Sequence, residues 1–245
     1  MAPDGGVFTD RRNVRTLEET SQTKGRAAME IELLVNRSEL LMQNLSELLA
    51  HPLYDDSTRL GVSAQATCLS LEHAAAVRVL VCSGMTLSAP AMLRCQFEAL
   101  ARGIWSLYCA SEAQLESLNK PLDNESADAS RSLPAVGAML DQLGKVPVAN
   151  EAVRCLSEFK LHSWKALNSY VHSGLHPLRR QADGYPLELA IATVRQSNGL
   201  AMLAGMQIAI LTGVPGLQKT VVALNCRFGS CLPIAAKESM STRTR

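Results

Sequence analysis

LRCQFEALARGIW, residues 93–105, decides the fold class. Leu93, Phe97, Leu100 and Ile104 recur at steps of four, three and four, and Leu107 adds a further step of three. That spacing returns to one side of an α-helix at each turn. A half-buried strand would alternate with period two instead. Pro90, just upstream, suits a first helical turn, so this helix is expected from about Pro90 to Ala110.

The same pattern extends outward in both directions. Helices are expected over 15–50, with a possible break at Gly25, and from Ser63 to Cys82, where Ser83 and Gly84 stop it. Further helices are expected over 134–144, 149–173, 186–212 and 215–228. Core candidates are Met29, Leu33, Leu40, Leu41, Leu45 and Leu48 in the first helix, and Val153, Leu156, Trp164, Leu167 and Val171 in the fifth. The polar stretch 118–134 lacks periodicity and reads as a long loop. The expected fold is all-α, a bundle of about seven helices. It forms one domain over 13–235, with loose tails at 1–12 and 236–245.

Composition agrees with this reading. Of 245 residues, 47% are apolar, 19% charged and only 4% aromatic, which is a globular balance poor in strand formers. A formal charge of +1 supplies no global field to attract nucleic acid, so any such binding must come from a local patch. Asp4, Asp10 and Glu18, with no apolar run nearby, argue against a secretory leader. Seven cysteines, an odd number without a CxxC pair, read as reduced, buried thiols of a cytoplasmic protein. The apolar run 199–216 is interrupted by Gln207 and ended by Gly213 and Pro215; it reads as a core helix, so no membrane partner is expected.

Chemistry-bearing residues gather in SWKALNSYVHSGLHPLRR, 163–180. His162, Lys165, Ser169 and His172 fall on one helical face, and Asn168 lies one turn before His172. The helix is expected to end near Gly174, with Pro177 blocking its simple continuation. His172 then sits in the last turn, where the macrodipole favours its protonated form, and Arg179 and Arg180 emerge beyond it, able to gather phosphates. Phosphodiester cleavage uses such parts: an imidazole titrating near neutrality, an amide to orient it and guanidinium groups for the transition-state charge. The candidate catalytic residues are therefore His172, Asn168 and Lys165, and the candidate phosphate-binding residues are Arg179 and Arg180. Solvated polar faces and ordinary helix caps use the same residues. His172 and His176 have a metal-pair spacing, but Gly174 lies between them, and no metal is expected.

Arg94, Glu98 and Arg102 form a second series at successive i, i+4 steps, with Trp105 on the same face. Two readings stand: an exposed ladder worth ~0.3–0.5 kcal/mol per pair, or a partly buried set packed against another helix or a second chain. Tyr170 and His176 are grouped with these four as supporting or interface residues. No GxGxxG, GxxxxGK[ST] or GxSxG motif is present, and no cofactor is expected.

Together, LRCQFEALARGIWSLY (93–108) and LNSYVHSGLHP (167–177) resemble bacterial helical families similar to the HEPN (higher eukaryotes and prokaryotes nucleotide-binding) superfamily, over about 60–215. The resemblance implies a helical bundle, often dimeric, found in phage defence or toxin–antitoxin loci and in many cases a metal-independent ribonuclease. His172 would match the histidine of the HEPN motif, with Asn168 as its polar partner. The motif's arginine has no counterpart at the usual distance; Lys165 stands seven residues before His172. The function expected is RNA or nucleotide binding with possible RNA cleavage. The alternative is a non-catalytic homodimer using the Arg94–Glu98–Arg102 face or the methionine-rich 199–211 helix.

Overall fold

The computed structural model describes residues 11–121 and 133–234. Most of the 118–134 loop and both tails lie outside these residues. Nine α-helices and no strand occur among the described residues: α1 Arg11–Ser46, α2 Thr58–Cys82, α3 Ala89–Tyr108, α4 Glu112–Asn119, α5 Val136–Leu143, α6 Asn150–Val171, α7 Leu175–Asp183, α8 Leu187–Thr212 and α9 Leu217–Phe228. The all-α reading holds and the count of seven is corrected. The two extra helices are α4 and α7. Ser111 and Gln114 form a capping box that starts α4. Pro177 is the third residue of α7, in the first turn, where a missing N–H costs nothing. α1 runs through Gly25 without a break.

Side-chain bonds set the topology. Ser63 Oγ donates to the Gly103 carbonyl (2.7 Å) and Ser70 Oγ to the Gln96 carbonyl (3.0 Å), so α2 and α3 run antiparallel. The two helices approach closely because residue 103 is glycine: a Cβ there would lie 2.6 Å from Thr67 Oγ1. α8 lies along this pair. Gln207 Nε2 donates to Ser63 Oγ (3.0 Å), Ser197 Oγ to Gln96 Oε1 (2.7 Å), and Gln96 Nε2 to the Ser197 carbonyl (2.8 Å).

Two apolar cores flank this three-helix spine. One joins α1, α8 and α9 through Leu41, Leu45, Val194, Ala201 and Phe228. The other joins α3, α5 and α6 through Phe97, Trp105, Met139 and Leu156. Burying each such side chain contributes about 1.5–3 kcal/mol.

Several expectations change here. In α1 the buried line is Leu34, Ser38, Leu41 and Leu45, continued by Leu48 in the 3₁₀ turn Glu47–Ala50, whereas Met29, Leu33 and Leu40 are exposed. Ser38 fits in that line because its hydroxyl donates to the Leu34 carbonyl (2.7 Å) and accepts from Asn198 Nδ2 (2.7 Å). Val171 is exposed rather than core. Of the seven free thiols only Cys231 is buried; Cys68, Cys82 and Cys226 are exposed. The 199–211 run is covered within the chain, with Ala201, Ala204, Ile208 and Leu211 all buried, so it offers little surface to a partner. Among the described residues no helix is long and apolar enough to cross a membrane.

Candidate functional site

The corner between α6 and α7 carries most of the residues that the sequence points to. α6 ends at Val171 with His172 as its cap, and the His172 N–H donates to the Asn168 carbonyl (3.2 Å). Ser173 then takes a left-handed conformation (φ 52°). The Gly174 N–H closes the turn on the Ser169 carbonyl (2.8 Å), the bond of a Schellman cap. The expected stop at Gly174 is thus displaced by one residue: Ser173 holds the left-handed position, and Gly174 is extended and leads into α7. Ser169 Oγ accepts the His176 N–H (3.1 Å), so one hydroxyl ties the two helices together. A Cβ at position 174 would stand 2.7 Å from that oxygen, which is why glycine is needed there.

His162, Lys165, Asn168, His172, His176 and Arg179 are all exposed, while Ser169, Tyr170 and Arg180 are half-buried. The two arginines differ in their surroundings. Arg179 pairs with Asp183 at 3.2 Å on the open surface. Arg180 lines a groove of about 410 Å³, together with Gln181, Tyr185 and the Gly84–Ser88 turn that leads into α3. Burial pushes the Tyr185 phenol up to about 12, opposed in part by its bond to Thr193. It therefore stays protonated at neutral pH. Tyr170 connects the corner to this groove, with its ring centroid 6.4 Å from that of His176 and 6.5 Å from that of Tyr185.

Behind the corner, α3 reaches α6 through Arg94, and here the structure joins two groups of residues that the sequence left separate. Arg94 Nη1 donates to Asn168 Oδ1 (2.8 Å) and Nη2 to Glu98 Oε1 (2.8 Å). Its guanidinium carbon lies 3.6 Å from the centroid of the Trp164 ring, a cation–π stack. Phe97 extends the aromatic cluster, stacked on Phe159 at 4.9 Å and edge-on to Trp164 at 5.9 Å. Of the two readings of the ladder, the buried one describes Arg94, which is only 9% exposed. Its partner is α6 of the same chain. Arg102 makes no ion pair among the described residues, and desolvation lowers its pKa against the pull of Glu98. Trp105 does not share an outer face with them. It is fully buried and gives its indole N–H to Gln142 Oε1 (2.7 Å).

Asn168 is therefore held in place, but by Arg94 rather than by His172. The His172 imidazole makes no hydrogen bond to another side chain among the described residues. Sequence reasoning missed Tyr185 and the Gly84–Ser88 turn, the far bank of the groove. Only their nearness in space to Arg180 marks them. No group of three or more metal-ligating side chains occurs among the described residues.

Residues 67–234 match the model of a family of unknown function (DUF6988). The matched segment covers most of α2 through α9 and leaves out α1. Neither the curated proteins nor the solved structures contain a match.

Proposed function

The chain belongs to the DUF6988 family, and from its own geometry we propose that it binds RNA through the α6–α7 corner. The observation that carries this reading is that His172, His176 and Arg179 are solvent-accessible at the turn into α7, whose Arg180 lines the groove, with Lys165 and His162 exposed further back along α6. Cationic and imidazole groups on one rigid corner suit a phosphate backbone, and Arg180 next to a hydroxyl-bearing turn suits a single phosphate held closely. Arg94 acts as a positioning residue. It fixes Asn168, and with it the last turns of α6, without needing to touch the ligand.

The reading has a catalytic form. His172 accepts the 2′-hydroxyl proton of a ribose as O2′ bonds to the adjacent phosphorus. The P–O5′ bond breaks, the departing O5′ takes a proton from water, and His172 returns its own to the hydroxide so formed, leaving a cyclic phosphate and a 5′-hydroxyl. A positioned imidazole contributes about 10²–10⁴-fold to such a step. The test is single-stranded RNA incubated with wild type and His172→Ala in EDTA. Cleavage by wild type that falls at least a hundredfold in the variant supports the catalytic form; equal cleavage, or none in either, removes it. Binding is tested separately. Arg180→Gln should weaken RNA affinity and lower the slope of log affinity against log salt by roughly 0.7. An unchanged slope sinks the binding reading.

A non-catalytic homodimer is the second reading, favoured by one observation: Leu161, Leu175 and Leu178 are 79%, 70% and 63% exposed on the same two helices. The interface expected on the Arg94–Glu98–Arg102 face moves to α7, because Arg94 is already covered by α6. Light scattering of wild type against Leu175→Ser/Leu178→Ser separates the readings. A wild-type dimer that the double variant dissociates supports the interface, and a monomeric wild type removes it.

A further inference from the structure

We propose that a cleft between α1 and α8, on the side of the molecule served by the α1–α8–α9 core, binds a small phosphate: the free ion or a small monoester. This inference does not rest on the RNA reading and uses none of its residues. The cleft measures about 180 Å³ and is lined by Glu30, Leu33, Leu34 and Arg37 of α1 and by Ile191 and Arg195 of α8, with Ser230 and Cys231 closing its end. That is smaller than the usual site for a drug-sized ligand, so its occupant is small.

Two guanidinium groups line this one space against a single carboxylate, which leaves its lining net positive. Glu30 is the single acid in the lining, and among the described residues neither Arg37 nor Arg195 forms an ion pair. Arg37 is fixed by its Nη2 donating to the Arg227 carbonyl and by stacking 4.6 Å from the centroid of the Phe228 ring. Arg195 Nε is buried and has no hydrogen-bond partner. Nε is too enclosed for a ligand to touch, so an oxyanion in the cleft meets this guanidinium through its Nη groups, which donate to no other side chain among the described residues. Cys231 lines the cleft beside both arginines; burial raises its thiol pKa, opposed in part by their charges.

The walls are held in register from below. Asn198, one turn beyond Arg195 on α8, donates from Nδ2 to Ser38 Oγ of α1 (2.7 Å) and to the Cys231 carbonyl (2.8 Å). Its Oδ1 is buried and has no donor. Leu33, Leu34 and Ile191 supply an apolar side, so a monoester with a compact apolar group has somewhere to place it.

The test is calorimetric titration of the full chain with inorganic phosphate and with phenyl phosphate, at ionic strength matched with sodium chloride. Wild type should bind at least one of them saturably, and Arg195→Gln should lose at least tenfold in affinity, with Arg195→Lys recovering part of it. Tighter binding of phenyl phosphate identifies a monoester as the occupant, and equal or tighter binding of phosphate identifies the free ion. The titrations are repeated in an Arg180→Gln background, which removes phosphate held at the α7 groove; the loss on Arg195→Gln should persist there, and its absence in that background overturns the site. Absence of saturable heat with both probes overturns the proposal, as does undiminished binding by Arg195→Gln. Should Arg195→Gln fail to fold, the comparison of wild type with Arg195→Lys decides: equal affinity overturns the site.

Discussion

α3 and α7 both carry arginines, and they use them in opposite ways. α3 buries 13 of its residues, Arg94 among them; α7 buries none. Arg94 is committed on two sides, to Asn168 and Glu98, and stacks on Trp164 as well. Arg180 borders an open groove. The same side chain thus acts as a rivet where neighbours enclose it and is left facing a groove where they do not. Stability should reside in α3, and binding in α7.

Five variants can break or sharpen that contrast. The largest effect should come from Trp105→Ala, which empties the space of a fully buried indole and leaves Gln142 without its donor. A loss of about 3–5 kcal/mol is expected in urea unfolding. A loss below ~1 kcal/mol would deny α3 its place in the core. Next comes Arg94→Ala, which strips Asn168 and Glu98 of their shared partner and uncovers Trp164. Glu98 stays partly solvated, so the expected loss is about 1–3 kcal/mol, read from the same curves. Arg94→Lys should recover less than half of it, since one ammonium cannot reproduce the two-sided fork.

The α7 double variant Leu175→Ser/Leu178→Ser should change monomer stability by no more than about 0.5 kcal/mol, because both leucines face solvent. A larger loss in a monomeric protein would mean that α7 packs more tightly than its exposure indicates. The smallest effect should be a gain. Ser173→Gly relieves a left-handed serine and should raise stability by about 0.5 kcal/mol, visible as a small rise in Tm.

The α3 prediction depends on a pattern that was legible in the chain. Leu93, Phe97, Leu100 and Ile104 announce one buried face by spacing alone, and all four are buried. α7 was not legible because Gly174 and Pro177 look like stop signals. One admits a tight approach to Ser169, and the other tolerates a first helical turn, so here they mark a corner followed by another helix. In the first helix the leucines marked Leu41, Leu45 and Leu48 rightly but Leu33 and Leu40 wrongly, since a hydrogen-bonded serine occupies a core position. The bond between Arg94 and Asn168 spans 74 residues. Periodicity orders residues within one helix and is silent on which helix will face it. Candidate residues could therefore be picked out along the chain, but not which of them meet in space.

The polar bonds that α8 makes to α1, α2 and α3 have a mechanical consequence. Sliding α8 by one turn along its neighbours would unpair Ser197, Asn198 and Gln207 together, and no slipped alignment restores all three. Those contacts act as dowels that forbid translation along the helix axes. Against that pinned frame, α7, which buries no residue and meets α6 through Ser169, is the element with the fewest such restraints.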